Sequence, residues 1–279
     1  MAKTKKRGPL SAEVANALSR LAAEGRSIFH LADLTAATGW SRRRAVNSLH
    51  QLRRSGWIVS LARGTYLIVP LEAGPDAAWT EDALVIASHL VEPGAAAYWS
   101  ACHYWNWTEQ VPRTVFVQTP QRTGKKRRQV LGITYEFVRV TDRKFFGTLE
   151  RQAGQGRVVV TDREKTLVDA LDRPDLCGGM RQVAEMLPEA ARGVRWETVE
   201  AYLEKMGSGA LYKRLGFLVE TLGEKARVPE REWRLERWRA HLTGGHAPLE
   251  PGGPAEGPVN ARWRVRVNVS AMAGEEGRG

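Results

Sequence analysis

Apolar positions recur at helical spacing at the start of this chain and at strand spacing soon after. Val14, Leu18 and Leu21 share one face of residues 13–23, and Gly25 closes that helix. Ile28 and Phe29 make a short apolar step. Leu31, Leu34 and Ala37 then share a face of a second helix over LADLTAATG, where Gly39 allows the left-handed backbone of a tight turn. Ser41 suits the N-cap of a third helix over SRRRAVNSLHQLRRSG, because its hydroxyl can accept from an orphan backbone N–H. Ala45, Leu49 and Leu52 fall on an inward face of that helix, with Val46 beside them. WIVSLARGTYLIV predicts strands over 57–61 and 65–69, joined by a tight Arg63-Gly64 turn. Trp40, Trp57 and Tyr66 read as packing residues.

Two helices across a glycine turn, followed by a β-ribbon, make a winged helix-turn-helix over residues 31–68. Its third helix is unusual in its first turn. Arg42, Arg43 and Arg44 oppose the helix dipole there, where stability alone would favour Asp or Glu. Three arginines suit an end that meets phosphates or guanine edges. Arg42, Arg43 and Asn47 are therefore candidates for base contacts. Arg44, Gln51 and Arg54 are candidates for phosphate contacts, with Ser41 capping the helix. Arg63, at the wing tip, is placed to reach a minor groove. The alternative is a solvated basic face.

Beyond a Gly- and Pro-containing linker at 72–80, the pattern changes. Residues 82–91 and 95–107 read as helices, the second dense in Tyr98, Trp99, Tyr104, Trp105 and Trp107. Such aromatics make either a base-stacking platform or, more commonly, a domain core. Strands are predicted over 113–119 and 130–140, joined by a basic loop, QRTGKKRRQ. Arg122, Lys125, Lys126, Arg127 and Arg128 form a candidate second basic patch, for DNA or an acidic protein, or a merely solvated loop. A strand at 157–160 leads into Thr161-Asp-Arg-Glu164, which reads as a capping box. Its helix continues through Leu167, Val168 and Leu171 and stops before Pro174. Helices follow over 196–206 and 210–222, then a Pro/Gly-rich loop at 245–258. Trp263, Val265, Val267 and Val269 alternate with polar residues as a one-faced strand returning to the second domain. Strands first and helices after give an α+β order. The expected organisation is a DNA-binding domain at 1–75, an α+β domain at 76–245, and a loop with a terminal strand packing on it at 246–279.

Charge sharpens this division. The net charge is +11 over 279 residues. Residues 1–70 carry twelve Lys and Arg against Glu13, Glu24 and Asp33, so most of the excess lies in the winged helix. That asymmetry points to an anionic partner, here double-stranded DNA. MAKTKKRG reads as a basic arm that can lie along phosphates and lacks the apolar stretch of a signal peptide. No apolar run approaches a membrane span, so no membrane partner is expected. Cys102 and Cys177, far apart in sequence, suggest neither a disulfide framework nor a zinc site, and a reduced cytoplasmic setting is the default.

Catalytic patterns are weak. GxxxxGK[ST], HExxH and GxSxG are absent from the sequence, and the six histidines lack metal spacing. Asp169 and Asp172 share a helix face and could hold a divalent cation. Asp142-Arg143-Lys144 is a D-x-K tripeptide of the metal-dependent nuclease kind, with only Glu109 and Glu136 as candidates for the upstream acidic partner. The expectation is a non-enzyme with no catalytic residue, metal or cofactor; a nuclease is the minor alternative.

RGTYLIVP, AAYWSACHYWNWTEQVPRTVFVQT, VVVTDREKTLVDALDRPDLCGG and the terminal RWRVRVNV together resemble the AbiEi-type antitoxins of type IV toxin–antitoxin (abortive-infection) systems. The resemblance spans roughly residues 10–225, and TDREKTLVDALDRP is its most specific segment. It implies an N-terminal winged helix joined to an antitoxin domain, and repression of the protein's own operon at promoter inverted repeats. It also implies a nucleotidyltransferase-like toxin as functional partner, which need not be touched directly. The toxin's own Gly-Ser pair followed by D-x-D is not met, since no D-x-D follows Gly207-Ser208. By position in the motif, Arg42, Arg43, Arg44 and Asn47 match the recognition-helix region. A stand-alone winged-helix regulator, with a ligand-sensing or dimerising second domain, is the alternative.

Overall fold

The computed structural model defines residues 9–69, 83–153 and 156–269. The expected N-terminal arm at 1–8, the whole linker at 72–80 and the first residue of the helix expected at 82–91 lie outside these described residues. The chain separates into two compact units that interleave in sequence. One comprises residues up to 96, 113–139 and 150–160; the other comprises 97–112, 140–149 and 161 onward. The sequence reading divides the chain at residues 75 and 245 instead.

In the first unit, α1 (Ala12–Ala23) is capped by Ser11, whose hydroxyl accepts from Val14 N. The apolar step at Ile28 becomes a strand, β1 (Ile28–His30). Helices α2 (Leu31–Thr38) and α3 (Arg42–Arg54) follow, separated by Gly39 at φ 69°. The wing is β2 (Ile58–Ala62) and β3 (Thr65–Ile68), paired antiparallel from Ile58↔Ile68 to Ala62↔Thr65 with a bulge after Ser60. Its two-residue turn places Gly64 at φ 78°, a backbone that glycine adopts without a Cβ penalty. β1 pairs with β3, so the sheet order is β1-β3-β2.

Both faces of this small sheet are buried. On one, Ile58 and Ile68 join Leu18 and Leu21 of α1, Leu34 of α2, Ala45, Leu49 and Leu52 of α3, and Phe29 and Trp40. Tyr66 and Trp57 pack against that cluster, as expected of them. On the other, Leu61 and Leu67 enter a second cluster with Val115, Val117, Tyr135 and Phe137. Full burial of a leucine contributes roughly 1.5–3 kcal/mol, so the wing is fixed from two sides.

That second cluster belongs to a six-stranded sheet. Its members are β4 (Ala95–Ala96), β5 (Thr114–Thr119), β6 (Arg127–Val130), β7 (Ile133–Arg139), β8 (Thr148–Ala153) and β9 (Gly156–Thr161). They run in the order β6-β7-β5-β4-β9-β8. The short helix α4 (Ala83–Ala87) supplies Ile86 and Ala87 to the same cluster. The strand expected over 130–140 is broken at its start. Leu131 and Gly132 both have positive φ, at 50° and 80°, and turn β6 into β7 with Val130 opposite Ile133. Arg127 and Arg128, expected in a loop, therefore lie on a strand.

The second unit is mostly helical: α5 (Trp99–Tyr104), α6 (Arg163–Asp172), α7 (Met180–Gly193), α8 (Trp196–Met206), α9 (Gly209–Leu222) and α10 (Arg231–Arg239). A small sheet is formed by β10 (Ala247–Pro248), β11 (Val259–Asn260) and β12 (Val265–Arg266). The predicted terminal strand shrinks to those two residues of β12. Its buried face is retained: Trp263, Val265 and Val267 are all enclosed, and Trp263 Nε1 donates to Glu220 at 2.9 Å. Of the aromatics near α5, Tyr98 and Trp107 are buried. Trp105 is half-buried and donates to Thr161 O at 3.0 Å. They pack as core rather than presenting a row of free ring faces.

Helix α6 is enclosed on every side, Glu164 through Leu171 all being buried. Its cap is Asp162, not Thr161. Asp162 Oδ1 accepts from Lys165 N at 2.6 Å, while the Thr161 hydroxyl pairs with Thr166 at 2.8 Å. Glu164 does not close a capping box; it accepts from Arg195 N at 2.9 Å. Lys165 forms a buried ion pair with Asp169. Tyr202 donates to Asp162 at 2.9 Å; burial, then that bond, pushes the tyrosine pKa up to about 12. The most specific stretch of the sequence thus encodes a satisfied buried polar network, which favours one packing arrangement over others.

The two minor chemical alternatives, a cation at Asp169 and Asp172 and a nuclease-like D-x-K, are answered here. Asp169 is held by Lys165, and Asp172 by Lys144 at 2.7 Å, so the two carboxylates face lysines and not a shared cation. The D-x-K tripeptide forms a single 3-10 turn whose lysine is engaged by that same Asp172. Cys102 and Cys177, distant in sequence, are both free and buried. Burial pushes the Cys177 thiol up, away from reactive thiolate.

Candidate nucleic-acid interface

The inward stripe of α3 is Ala45, Leu49 and Leu52. An α-helix turns about 100° per residue, so the opposite face carries Arg43, Asn47, His50, Gln51 and Arg54, all exposed. Arg42 and Val46 lie on one flank of that face. Ser41 caps the helix, its hydroxyl accepting from Arg44 N at 3.4 Å. Among the described residues, no side-chain hydrogen bond or ion pair engages Arg42, Arg43, Asn47, Gln51, Arg54 or Arg63. Arg63 is exposed at the wing tip.

Two placements differ from the sequence reading. Val46, expected beside the core, is 46% exposed. It sits one residue round from Ala45, which turns it off the buried stripe. Arg44 is exposed but not free. Its guanidinium pairs with Glu13 Oε2 at 2.5 Å and lies 4.6 Å from the Trp40 ring centroid. The other oxygen of Glu13 accepts from Trp40 Nε1 at 2.6 Å. Glu13 was not singled out by pattern; it is simply the acid in the first turn of α1. Only the fold brings it to the start of α3.

The second basic patch divides likewise. Arg122 and Lys125 are exposed. Lys126 and Arg127 both pair with Glu136, at 3.1 and 2.6 Å. Burial works against the Glu136 carboxylate, but hydrogen bonds and charge from Arg127 and Lys126 outweigh it and hold the pKa below its usual value. Arg128 turns inward and donates to the carbonyls of Ser60 and Leu61 in β2. It clamps the wing instead of facing solvent.

This arrangement has a counterpart among known families. Residues 16–69 match the family described as "Transcriptional regulator, AbiEi antitoxin". The match runs from within α1 to just past β3, so the part of the chain similar to that family is the winged helix. No curated protein matches the sequence. The fold as a whole is similar to the crystal structure of RV2827C protein from Mycobacterium tuberculosis, with a TM-score of 0.67. That likeness covers 97% of this chain and 96% of the other at 17% identity, and it speaks for the fold alone. Among the described residues, no helix is long and apolar enough to cross a membrane. No group of three or more His, Cys, Asp and Glu is arranged there to hold a metal ion.

Proposed function

We propose that the protein is a DNA-binding autorepressor with antitoxin activity, acting at inverted repeats in its own promoter and countering a nucleotidyltransferase-like toxin. The observation that carries the DNA-binding part is the outward face of α3. Arg43, Asn47 and Arg54 stand exposed there, with Arg42 on its flank, and none has a side-chain partner among the described residues; the helix is capped by Ser41 and braced by the wing. Arg42 and Arg43 suit guanine, and Asn47 suits adenine, each through paired hydrogen bonds in the major groove. Gln51 and Arg54 are assigned to phosphates and Arg63 to the minor groove; Arg44 reaches a phosphate only by leaving Glu13. Arg122 and Lys125 are a secondary contact for DNA flanking the main site. The antitoxin part rests on the AbiEi match and on the resemblance of TDREKTLVDALDRP.

Binding to the promoter duplex is tested by fluorescence anisotropy against a scrambled duplex. Arg43→Ala is expected to weaken promoter binding by roughly 1–3 kcal/mol and scrambled binding much less. Equal losses on both duplexes would reassign Arg43 to a phosphate. Co-expression with the adjacent open reading frame tests the antitoxin role: growth should fail without this chain and recover with it.

A further inference from the structure

We infer that Val46 reads the C5-methyl group of a thymine in the bound major groove, a specificity determinant that rests on the DNA-binding reading of α3. Val46 belongs to neither the buried core of the winged helix nor the partly buried rim packed on it. The other large hydrophobics with comparable exposure are Val111, Trp233 and Val259, all from the other compact unit. Among the described residues of its own unit, Val46 is therefore the large apolar side chain left most open to solvent.

Its surroundings choose the partner. Arg42 and Arg43 precede it by one helical turn, Asn47 adjoins it and His50 follows one turn later, and all four are exposed. A protein surface seeking an apolar contact would have to strip water from two guanidinium groups to reach one valine. A duplex offers those cations phosphates or guanine edges, and the thymine methyl is the apolar group that its major groove displays. Valine is also a poorer choice than Lys, Gln or Ala at an exposed helix position, because its branched Cβ loses rotamer freedom against the preceding turn. An apolar contact on the solvent side accounts for its presence.

The test uses the full-length chain and the tightest duplex selected from a random pool. Each thymine is replaced in turn by deoxyuridine, which removes only the methyl. One thymine per bound recognition helix is expected to show a loss of about fourfold, the equivalent of the ~0.8 kcal/mol for one buried methylene-sized group. Val46→Ala should lose a similar factor on the thymine duplex and show no further loss when that thymine becomes deoxyuridine. Thermal melting of Val46→Ala should equal or slightly exceed that of the parent, since the side chain packs on no core and alanine is the better helix former; a lowered melting temperature would show a packing role instead. Equal losses for Val46→Ala on thymine and deoxyuridine duplexes, or no thymine coupled to residue 46, would overturn the inference while leaving DNA binding intact. Failure of the parent chain to bind any duplex would overturn both.

Discussion

Glu13→Gln separates two roles of one carboxylate, because the substitution moves stability and DNA affinity in opposite directions. Glu13 holds Arg44 at 2.5 Å and the Trp40 indole at 2.6 Å. The ion pair is more than half exposed on both sides, so its loss costs roughly 0.2–1 kcal/mol. Glutamine keeps a carbonyl oxygen for the Trp40 N–H, whose bond then loses only its charge assistance. Together, the change should lower unfolding free energy by about 0.5–1.5 kcal/mol in urea titration. Against a polyanion the sign reverses. The variant removes a negative charge beside the first turn of α3 and releases Arg44 to a phosphate. Duplex affinity should rise about 2- to 10-fold near 0.1 M salt, and the slope of log K against log salt should steepen by ~0.9 for one further phosphate neutralised. Anisotropy across a salt series reads both quantities. Weaker binding, or an unchanged slope, would show that Glu13 and Arg44 form a purely internal clamp, and the assignment of Arg44 to phosphate would fail.

Other perturbations probe the scaffold. Arg128→Met leaves two carbonyls of β2 without their guanidinium and should cost about 1–3 kcal/mol of stability. It should also weaken duplex binding through the wing, although Arg128 is not offered as a DNA contact; unchanged stability by chemical denaturation would refute the clamp. Lys165→Met removes the cation paired with buried Asp169 and should destabilise by roughly 3–5 kcal/mol. Adding Asp169→Leu should restore much of that loss, measured as a double-mutant cycle. The pH dependence follows from Glu136, whose folded pKa lies below its unfolded value. Its contribution is fully present above the ordinary glutamate range and disappears as pH falls through the lowered value. Glu136→Gln should flatten that acid limb in melts recorded across pH; an identical limb would assign it to other groups.

How far the sequence could be read depends on how local each determinant is. The three helices and the wing were legible because each carries its own signal: Ser41 as cap, Gly39 and Gly64 at positive φ, and stripes such as Ala45, Leu49 and Leu52. The capping site of α6 was misread by one residue because Thr161 and Asp162 compete for the same role. The choice depends on Thr166 taking the threonine hydroxyl. The hairpin between β6 and β7 was hidden since Leu131-Gly132 lacks the Asn or Asp that usually announces such a turn. Helix α7 carries Pro188 inside it and follows two glycines, punctuation that masks its apolar stripe. In α10 only Arg234, Leu235 and Trp238 are buried, too thin a stripe to show periodicity.

Net charge was a better guide to the partner than to the contact residues, and the reason is physical. A cation contributes to an interface only to the extent that its own protein has not already satisfied it. Arg44, Lys126, Arg127 and Arg128 all look available in the sequence, yet each is met by a carboxylate or carbonyl that folding brings from elsewhere in the chain. Arg42, Arg43, Arg54 and Arg63 have no such partner among the described residues and remain for an external anion. The same logic argues against treating residues 1–75 as a detachable reader. Leu61 and Leu67 give the wing a second buried face against Val115, Val117 and Phe137, and Arg128 binds its backbone from β6. A cut at residue 75 would expose that face and free those carbonyls. The wing tip would then lose the rigid support that holds Arg63 in a fixed position relative to α3.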